Sequence, residues 1–317
     1  MTDLTKQNKD KALVIDHVTK TYPNGFTAVK DLSLTVKQGE FLALIGPNGA
    51  GKSTTIGMIS TLVNITSGSI SIFGYDIEKQ PALAKSNLGI VPQEINLNAF
   101  ETCLNTLIYE AGYYGIPKSK ALPRAEMLLK QAHLWEKRDN MTRELSGGMK
   151  RRLMIARSLI HEPKLLLLDE PTAGVDIEIR RDMWEILTQL NKDGLTIILT
   201  THYLEEAQEL CDRLAIIHHG HVHMDKPIAS LREDLAKETF TFALQNPIDQ
   251  CPNIEGIECE LIAPQEFKII TNTKTSLTEL LATLAKQGII VSHVISTQNY
   301  VEEMLLNVMN QPKKEAA

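Results

Sequence analysis

The 317-residue sequence is short of the features that mark several broad classes of protein. It has four cysteines, Cys103, Cys211, Cys251 and Cys259, widely spaced and with no C-x-x-C pair. That excludes a disulfide scaffold and a cysteine-rich metal module, and fits ordinary thiols in a reducing compartment. No apolar run approaches 18 residues, so no membrane-spanning helix is expected. The opening MTDLTKQNKDK is polar and lacks the apolar core of a signal peptide. There is no excess of positive charge: 33 Lys and Arg stand against 39 Asp and Glu, a net −6. This argues against a dedicated nucleic-acid binder. Internal repeats and long low-complexity segments are also missing. The length suits about two domains, each with a substantial core.

One stretch organises what remains. Residues 41–54 read FLALIGPNGAGKST, an apolar run entering a glycine-rich turn. Gly46, Pro47, Asn48, Gly49, Ala50, Gly51, Lys52 and Ser53 fit G-x-x-x-x-G-K-[ST], and Thr54 follows. Glycines let backbone N–H groups approach a phosphate as a nest, and the helix opening near Lys52 adds its unpaired donors. Lys52 supplies a charge for β- and γ-phosphates, and Ser53 a hydroxyl for Mg²⁺.

Around this loop strands and helices alternate. Strands are expected at 12–18, 31–37, 41–45, 68–73 and 88–93, and helices at 52–63 and 177–192. Residues 164–170, KLLLLDE, and 195–200, LTIILT, are unbroken apolar runs that suit strands buried on both faces of a parallel sheet. The pattern implies an α/β fold with ligands at the C-terminal strand edge. From about 95 to 162 helical segments near 101–114, 121–133 and 148–160 form an inserted lobe. After about residue 228 short strands at 239–244, 257–263, 267–272 and 289–296 mix with helices marked by Leu277, Leu280, Leu281 and Leu284, and by Val301, Met304, Leu305 and Val308. That is a second, smaller α+β domain. The domains expected are thus 12–228 and 229–310, with disordered tails at 1–11 and 311–317.

Asp169 and Glu170 close a buried strand beside the phosphate loop, where Asp169 is placed to hold Mg²⁺ and Glu170 to take a proton from the attacking water. Leu145, Ser146, Gly147 and Gly148 open LSGGMKRR, a second anion-binding helix start. Its place after the phosphate-loop lysine and before LLLLDEP resembles the ATP-binding subunits of ABC transporters over about residues 12–228. The resemblance implies a RecA-like P-loop core with an antiparallel β subdomain and a helical lobe. It also implies that Tyr22 stacks on adenine and that Gln93 senses Mg²⁺ and couples to a membrane partner. Asp176, in Ala173-Gly174-Val175-Asp176, is implied to cross to the other chain of a dimer, and His202 to switch near the γ-phosphate. Each ATP would lie between the phosphate loop of one chain and Ser146-Gly147-Gly148 of a second copy.

Met149 stands where that family most often has glutamine, and AGVD where SALD or SGLD is commoner. Both, with the C-terminal domain, are similar to the ABC-2-type exporter subgroup of drug and polysaccharide exporters, especially its YadG-like ATPases. The resemblance thus implies an ATPase with ATP and Mg²⁺, an ABC-2-type integral permease and a second copy of itself as partners, and no nucleic acid. Its expected location is the cytoplasmic face of the inner membrane, held there by the permease. The competing reading is a soluble ABC ATPase acting on ribosomes or DNA; such relatives carry two nucleotide domains or long coiled coils, whereas this chain has one phosphate loop and a short lobe. A kinase or small GTPase leaves LSGGMKRR without a role.

Other signals have plainer readings. His218, His219, His221 and His223 suit a strand-turn-strand around Gly220 better than a metal site. Lys150-Arg151-Arg152 and Arg180-Arg181 suit solvated helix faces, or contacts to phosphate and partner carboxylates. Tyr109, Tyr113 and Tyr114 suit either core packing or a membrane-subunit contact.

Overall fold

The structure, a computed structural model, describes residues 10–235, 237–254, 257–272 and 276–297. The chain separates into two units, Met1–Lys226 and Pro227–Ala317.

The first unit opens with β1 (Lys11–Thr21) and β2 (Thr27–Lys37). β1 runs three residues past the expected 12–18. It pairs antiparallel with both β2 and a later strand, and its registers slip near His17, which bulges with φ 49°. β3 (Phe41–Ile45) is buried throughout and feeds the glycine turn that leads to α1 (Lys52–Ile59). This helix stops short of the expected residue 63. Thr61 turns to φ 63°, and Leu62 N and Val63 N both fold back onto Gly57 O, at 2.8 and 2.9 Å. Next come β4 (Ser67–Ile72), β5 (Tyr75–Asp76), α2 (Pro81–Ser86) and β6 (Leu88–Val91). β6 ends before the expected residue 93 because Pro92 has no N–H for the ladder. β2, β1, β4 and β5 form one sheet in that order, the antiparallel subdomain.

The helical segment contains α3 (Cys103–Tyr113), α4 (Lys118–Gln131) and α5 (Gly147–Ser158). The chain then alternates through β7 (Leu165–Asp169), α6 (Ile177–Lys192), β8 (Thr196–Thr201), α7 (Leu204–Leu210), β9 (Arg213–His218) and β10 (His221–Pro227). The second sheet has the order β10-β9-β3-β8-β7-β6, with parallel pairing from β9 to β6. A single apolar core joins the two sheets around α1. Leu13, Ile15, Leu34 and Ile70 come from the antiparallel sheet, Leu42, Leu167, Ile198 and Ala215 from the parallel one. Each fully buried leucine or isoleucine contributes roughly 1.5–3 kcal/mol, so the phosphate loop is anchored at both ends in this core. Strand register then decides the site: Asp169 lies beside Thr200, and Ile45 beside Thr201.

The second unit comprises α8 (Ile228–Leu235), β11 (Lys237–Leu244), β12 (Glu258–Ala263), β13 (Glu266–Asn272), α9 (Leu277–Lys286) and β14 (Val291–Thr297). Its sheet has the antiparallel order β12-β13-β11-β14. Phe242 and Phe267 stack at 5.1 Å, and Leu280 and Leu284 of α9 pack in the same cluster. The expected tail at 311–317, all of 1–9, and the helix around Val301, Met304, Leu305 and Val308 lie outside the described residues.

Candidate active site

The glycine turn is shaped by what surrounds it. A Cβ at Gly46 would lie 2.2 Å from Ile217 O, so only glycine fits there. Gly49 and Gly51 hold φ 82° and 110°, where other residues are strained. Gly220 N donates to Ala50 O at 2.9 Å, so the β9–β10 turn braces the loop from behind. Lys52 is 5% exposed. Its ammonium donates to Gly46 O at 2.6 Å and Pro47 O at 3.2 Å. Burial pulls its pKa below the ordinary 10.5, while the charges of Glu170 and Asp169 act the other way. An extra negative charge at the loop would restore the ammonium's preference for its proton. Ser53 is exposed at the opening of α1, next to this charge. The Tyr22 hydroxyl lies 3.4 Å from Thr54 Oγ1, which puts the tyrosine at the same loop.

The ends of β7 and β8 form the opposite wall. Thr200 Oγ1 donates to Asp169 Oδ1 at 2.5 Å. The same oxygen accepts from Glu170 N at 3.0 Å. Glu170 itself sits at φ 45°, a costly conformation for a residue with a side chain, of the sort that persists where neighbours over-determine it. Its carboxylate is the meeting point of the wall: Gln93 Nε2 and His202 Nδ1 both lie 3.4 Å from Glu170 Oε2. The Glu170 side chain is 13% exposed and that of His202 44%. One end of this carboxylate therefore faces the Gln93 amide and the His202 imidazole, and the side chain remains partly open to water.

Leu145, Ser146, Gly147 and Gly148 lie apart from this cluster in their bonding. Ser146 Oγ caps α5 by accepting from Met149 N at 3.3 Å, and Leu145 N donates to Thr142 O at 3.2 Å. The cap satisfies one of the N–H groups that the first turn of a helix leaves without an intrahelical partner. A Cβ at Gly148 would meet Ile179 Cγ2 at 2.3 Å, so α5 and α6 approach closely there. Asp176 is exposed and opens α6 without a side-chain cap.

One expectation needs correction. Arg151 is not on a solvated face: it is 8% exposed, and its guanidinium donates to Pro92 O at 3.0 Å. It therefore steadies the residue just before Gln93. Gly148, Arg151, Ile155 and Ser158 are all buried on α5, a spacing of three and four that the sequence displays. Thr200 was also missed: the sequence shows a threonine at the end of an apolar run, but only the register of β7 and β8 puts it beside Asp169. The histidine group forms ring contacts, His218 to His219 at 3.9 Å and to His223 at 5.3 Å. Among the described residues no group of three or more His, Cys, Asp or Glu is arranged to hold a metal ion.

The donors available to a nucleotide-bound cation are the Ser53 hydroxyl, the Gln93 amide and the Asp169 carboxylate. All are hard oxygen ligands of the kind Mg²⁺ takes, with room left for phosphate and water. The fit is chemical: Lys52 alone leaves the wall of Asp169 and Glu170 short of positive charge for a bound polyphosphate.

A phosphate loop entering α1, a carboxylate pair at the end of a buried strand of the same parallel sheet and a glycine-opened helix elsewhere define a P-loop ATPase of the cassette type. Residues 29–173 match the family model described as ABC transporter. The linearmycin resistance ATP-binding protein LnrL of Bacillus subtilis is 45% identical over 66% of this chain and 67% of its own length. The Nod factor export ATP-binding protein I of Sinorhizobium fredii is 38% identical over 77% of this chain and 71% of its own. Among solved structures, cbiO1 of Clostridium perfringens, part of the cbiONQ transporter complex, has a TM-score of 0.65 and 29% identity over 70% of this chain and 91% of that one. The dimeric cassette MJ0796 bound to ADP and Pi has a TM-score of 0.62 and 28% identity over 68% and 98%. The chain belongs to the ABC transporter family, among its ATP-binding subunits of exporter type.

Proposed function

We propose that this chain hydrolyses ATP at two sites shared between two copies and so drives export through a separate ABC-2-type integral permease. The observation that carries the catalytic part is the convergence of His202 and Gln93 on one oxygen of Glu170 at 3.4 Å, at the end of β7, which β8 separates from the strand of the phosphate loop.

The backbone N–H groups of residues 46–51 and the Lys52 ammonium bind the β- and γ-phosphates, and Tyr22 supplies the face for the base. Ser53, Asp169 and Gln93 would hold Mg²⁺, which would supply charge neutralisation to the bound triphosphate. Glu170 accepts a proton from the attacking water through its other oxygen, Oε1. Donors from His202 and Gln93 fix that carboxylate so that its basic lone pair has one direction. Leu145 to Gly148 of the second copy close over the γ-phosphate with the N-terminus of α5, and Asp176 reaches across at the same interface.

Closure on ATP and release after hydrolysis give the permease two states to follow. The peripheral position, at the cytoplasmic face of the inner membrane, follows from the permease; no described helix is long and apolar enough to cross a membrane. Residues 229–310 form an accessory domain that strengthens the pairing of two copies or its coupling to the permease.

Affinity purification of the full chain from detergent-solubilised membranes tests the exporter reading. Recovery of one integral membrane protein in stoichiometric amount is expected. Recovery with ribosomes or DNA, and none with membranes, would overturn it.

A further inference from the structure

Glu206 is a buried carboxylate that no step above uses. It is 0% exposed and lies in α7, four residues after His202. Its Oε1 accepts from Thr172 Oγ1 at 2.8 Å and from Trp184 Nε1 at 3.2 Å. Its Oε2 is buried and has no hydrogen-bond partner. A carboxylate held this way carries a desolvation cost that an apolar residue of the same shape would avoid.

What it joins explains the arrangement. Thr172, itself 1% exposed, is two residues past Glu170 and four before Asp176. Trp184 is on α6, the helix that Asp176 opens. One oxygen thus ties together the segments that carry the base, the crossing loop and the switch histidine. A second tie runs parallel to it, with the Arg180 guanidinium 4.7 Å over the Tyr203 ring, next to His202. The loop that these ties hold begins at Glu170 in a left-handed conformation, φ 45°, of the strained kind that persists where surrounding structure over-determines it.

We infer that Glu206 is a positioning residue for hydrolysis: through Thr172 and Trp184 it keys the Pro171–Asp176 loop, and with it Glu170, to the helix that follows His202. This rests on the proposed roles of Glu170 and His202. Glu206 touches neither nucleotide nor water. It fixes where Glu170 Oε2 lies relative to His202 Nδ1, so its loss acts on turnover and not on ATP binding. Misplacement of a reacting group by about 1 Å costs as much as a hundredfold in rate.

The test is steady-state ATP hydrolysis by the purified full chain. Thr172→Val removes only the hydroxyl that reaches Glu206 and preserves shape. Its kcat is expected to fall about tenfold while KM for ATP stays within about twofold. Thr172→Ser, which restores the hydroxyl, is expected to recover most of the loss. A contact that only stabilises the fold would lower the melting temperature and leave kcat per folded molecule unchanged. Folded Thr172→Val with kcat within twofold of wild type overturns the inference. Should that variant not fold, Trp184→Phe, which deletes the other donor, is read the same way with about a threefold loss expected. Turnover that Glu170→Gln abolishes and Thr172→Val leaves intact sinks only the role of Glu206. Wild-type turnover unaffected by Glu170→Gln sinks the catalytic reading beneath it.

Discussion

Replacing Thr200 by valine isolates the support beneath both carboxylates. The side chain is 0% exposed, and valine matches its shape, so no cavity follows. Thr200 Oγ1 lies 2.5 Å from Asp169 Oδ1, 3.0 Å from Glu170 N and 3.5 Å from Leu168 O. The single hydroxyl proton serves the nearest acceptor, and 3.5 Å is too long to count as a second bond. Glu170 N keeps a partner in the variant, because Thr200 O also accepts from it at 3.1 Å. The loss is therefore essentially one hydrogen bond to an ionised group, about 2 kcal/mol. For a unit of this size that lowers the melting temperature by about 4–8 °C. Asp169 and the strained Glu170 backbone both gain freedom, and a matching loss in the transition state would lower kcat about thirtyfold. Scanning calorimetry and a coupled ATPase assay read the two effects. Thr200→Ser should recover both. A Thr200→Val protein that melts within a degree of wild type and turns over at the same rate would refute the assigned role of this hydroxyl.

Lys52→Ala should abolish hydrolysis and weaken binding of a fluorescent ATP analogue by at least about tenfold, since the β- and γ-charges lose their counter-charge. Wild-type turnover would contradict this. Truncation near residue 230 should leave nucleotide binding unchanged in calorimetry but weaken dimerisation or coupling; an unaltered dimer and unaltered transport would count against the accessory role. Acid should destabilise the first unit through His161 and His218, whose imidazoles burial holds below the ordinary 6.5. The unfolded chain then takes up these protons first, so the contribution is complete above about pH 7.5 and is lost as pH falls through 6.5 toward the depressed folded values. His161→Gln and His218→Gln should each flatten the melting temperature between about pH 7 and 5.5, and an unchanged slope in both would exclude the assignment.

Much of the fold was legible because its elements bury whole runs of sequence. FLALI, LLLLD and TIILT have no polar interruption, and their strands are buried almost throughout. The site was legible where chemistry demands a residue type at a fixed spacing, as in Gly46 to Ser53 and in Asp169-Glu170. It was less so where a role depends on tertiary contact. Arg151 sits in a basic run that suggests solvent, and only the packing of α5 against residues 92–96 turns it inward. Glu206 is one of two adjacent glutamates, and nothing local distinguishes it from Glu205; the nearness of Thr172 and Trp184 does. The short α2 and α7 escaped for a related reason: at six and seven residues they are too brief for a helical period to stand out. The early end of α1 is a matter of backbone: Thr61 takes a positive φ and the chain folds back onto Gly57 O.

The central claim is that two copies share each ATP and that Glu170 is the base. Glu170→Gln keeps size and polarity, retains an oxygen for His202 and Gln93, and removes the basicity that activates water. Lys52, Asp169 and the Ser146-Gly147-Gly148 helix start remain to hold the nucleotide, and acidic charge near the γ-phosphate is lost, which lessens repulsion in the closed state. Size-exclusion chromatography with light scattering, run with ATP and Mg²⁺, measures the outcome. The account predicts that Glu170→Gln elutes as a dimer with ATP and as a monomer without it, while hydrolysing at a small fraction of the wild-type rate. A variant that binds ATP yet stays monomeric, or one that hydrolyses as fast as wild type, would contradict it.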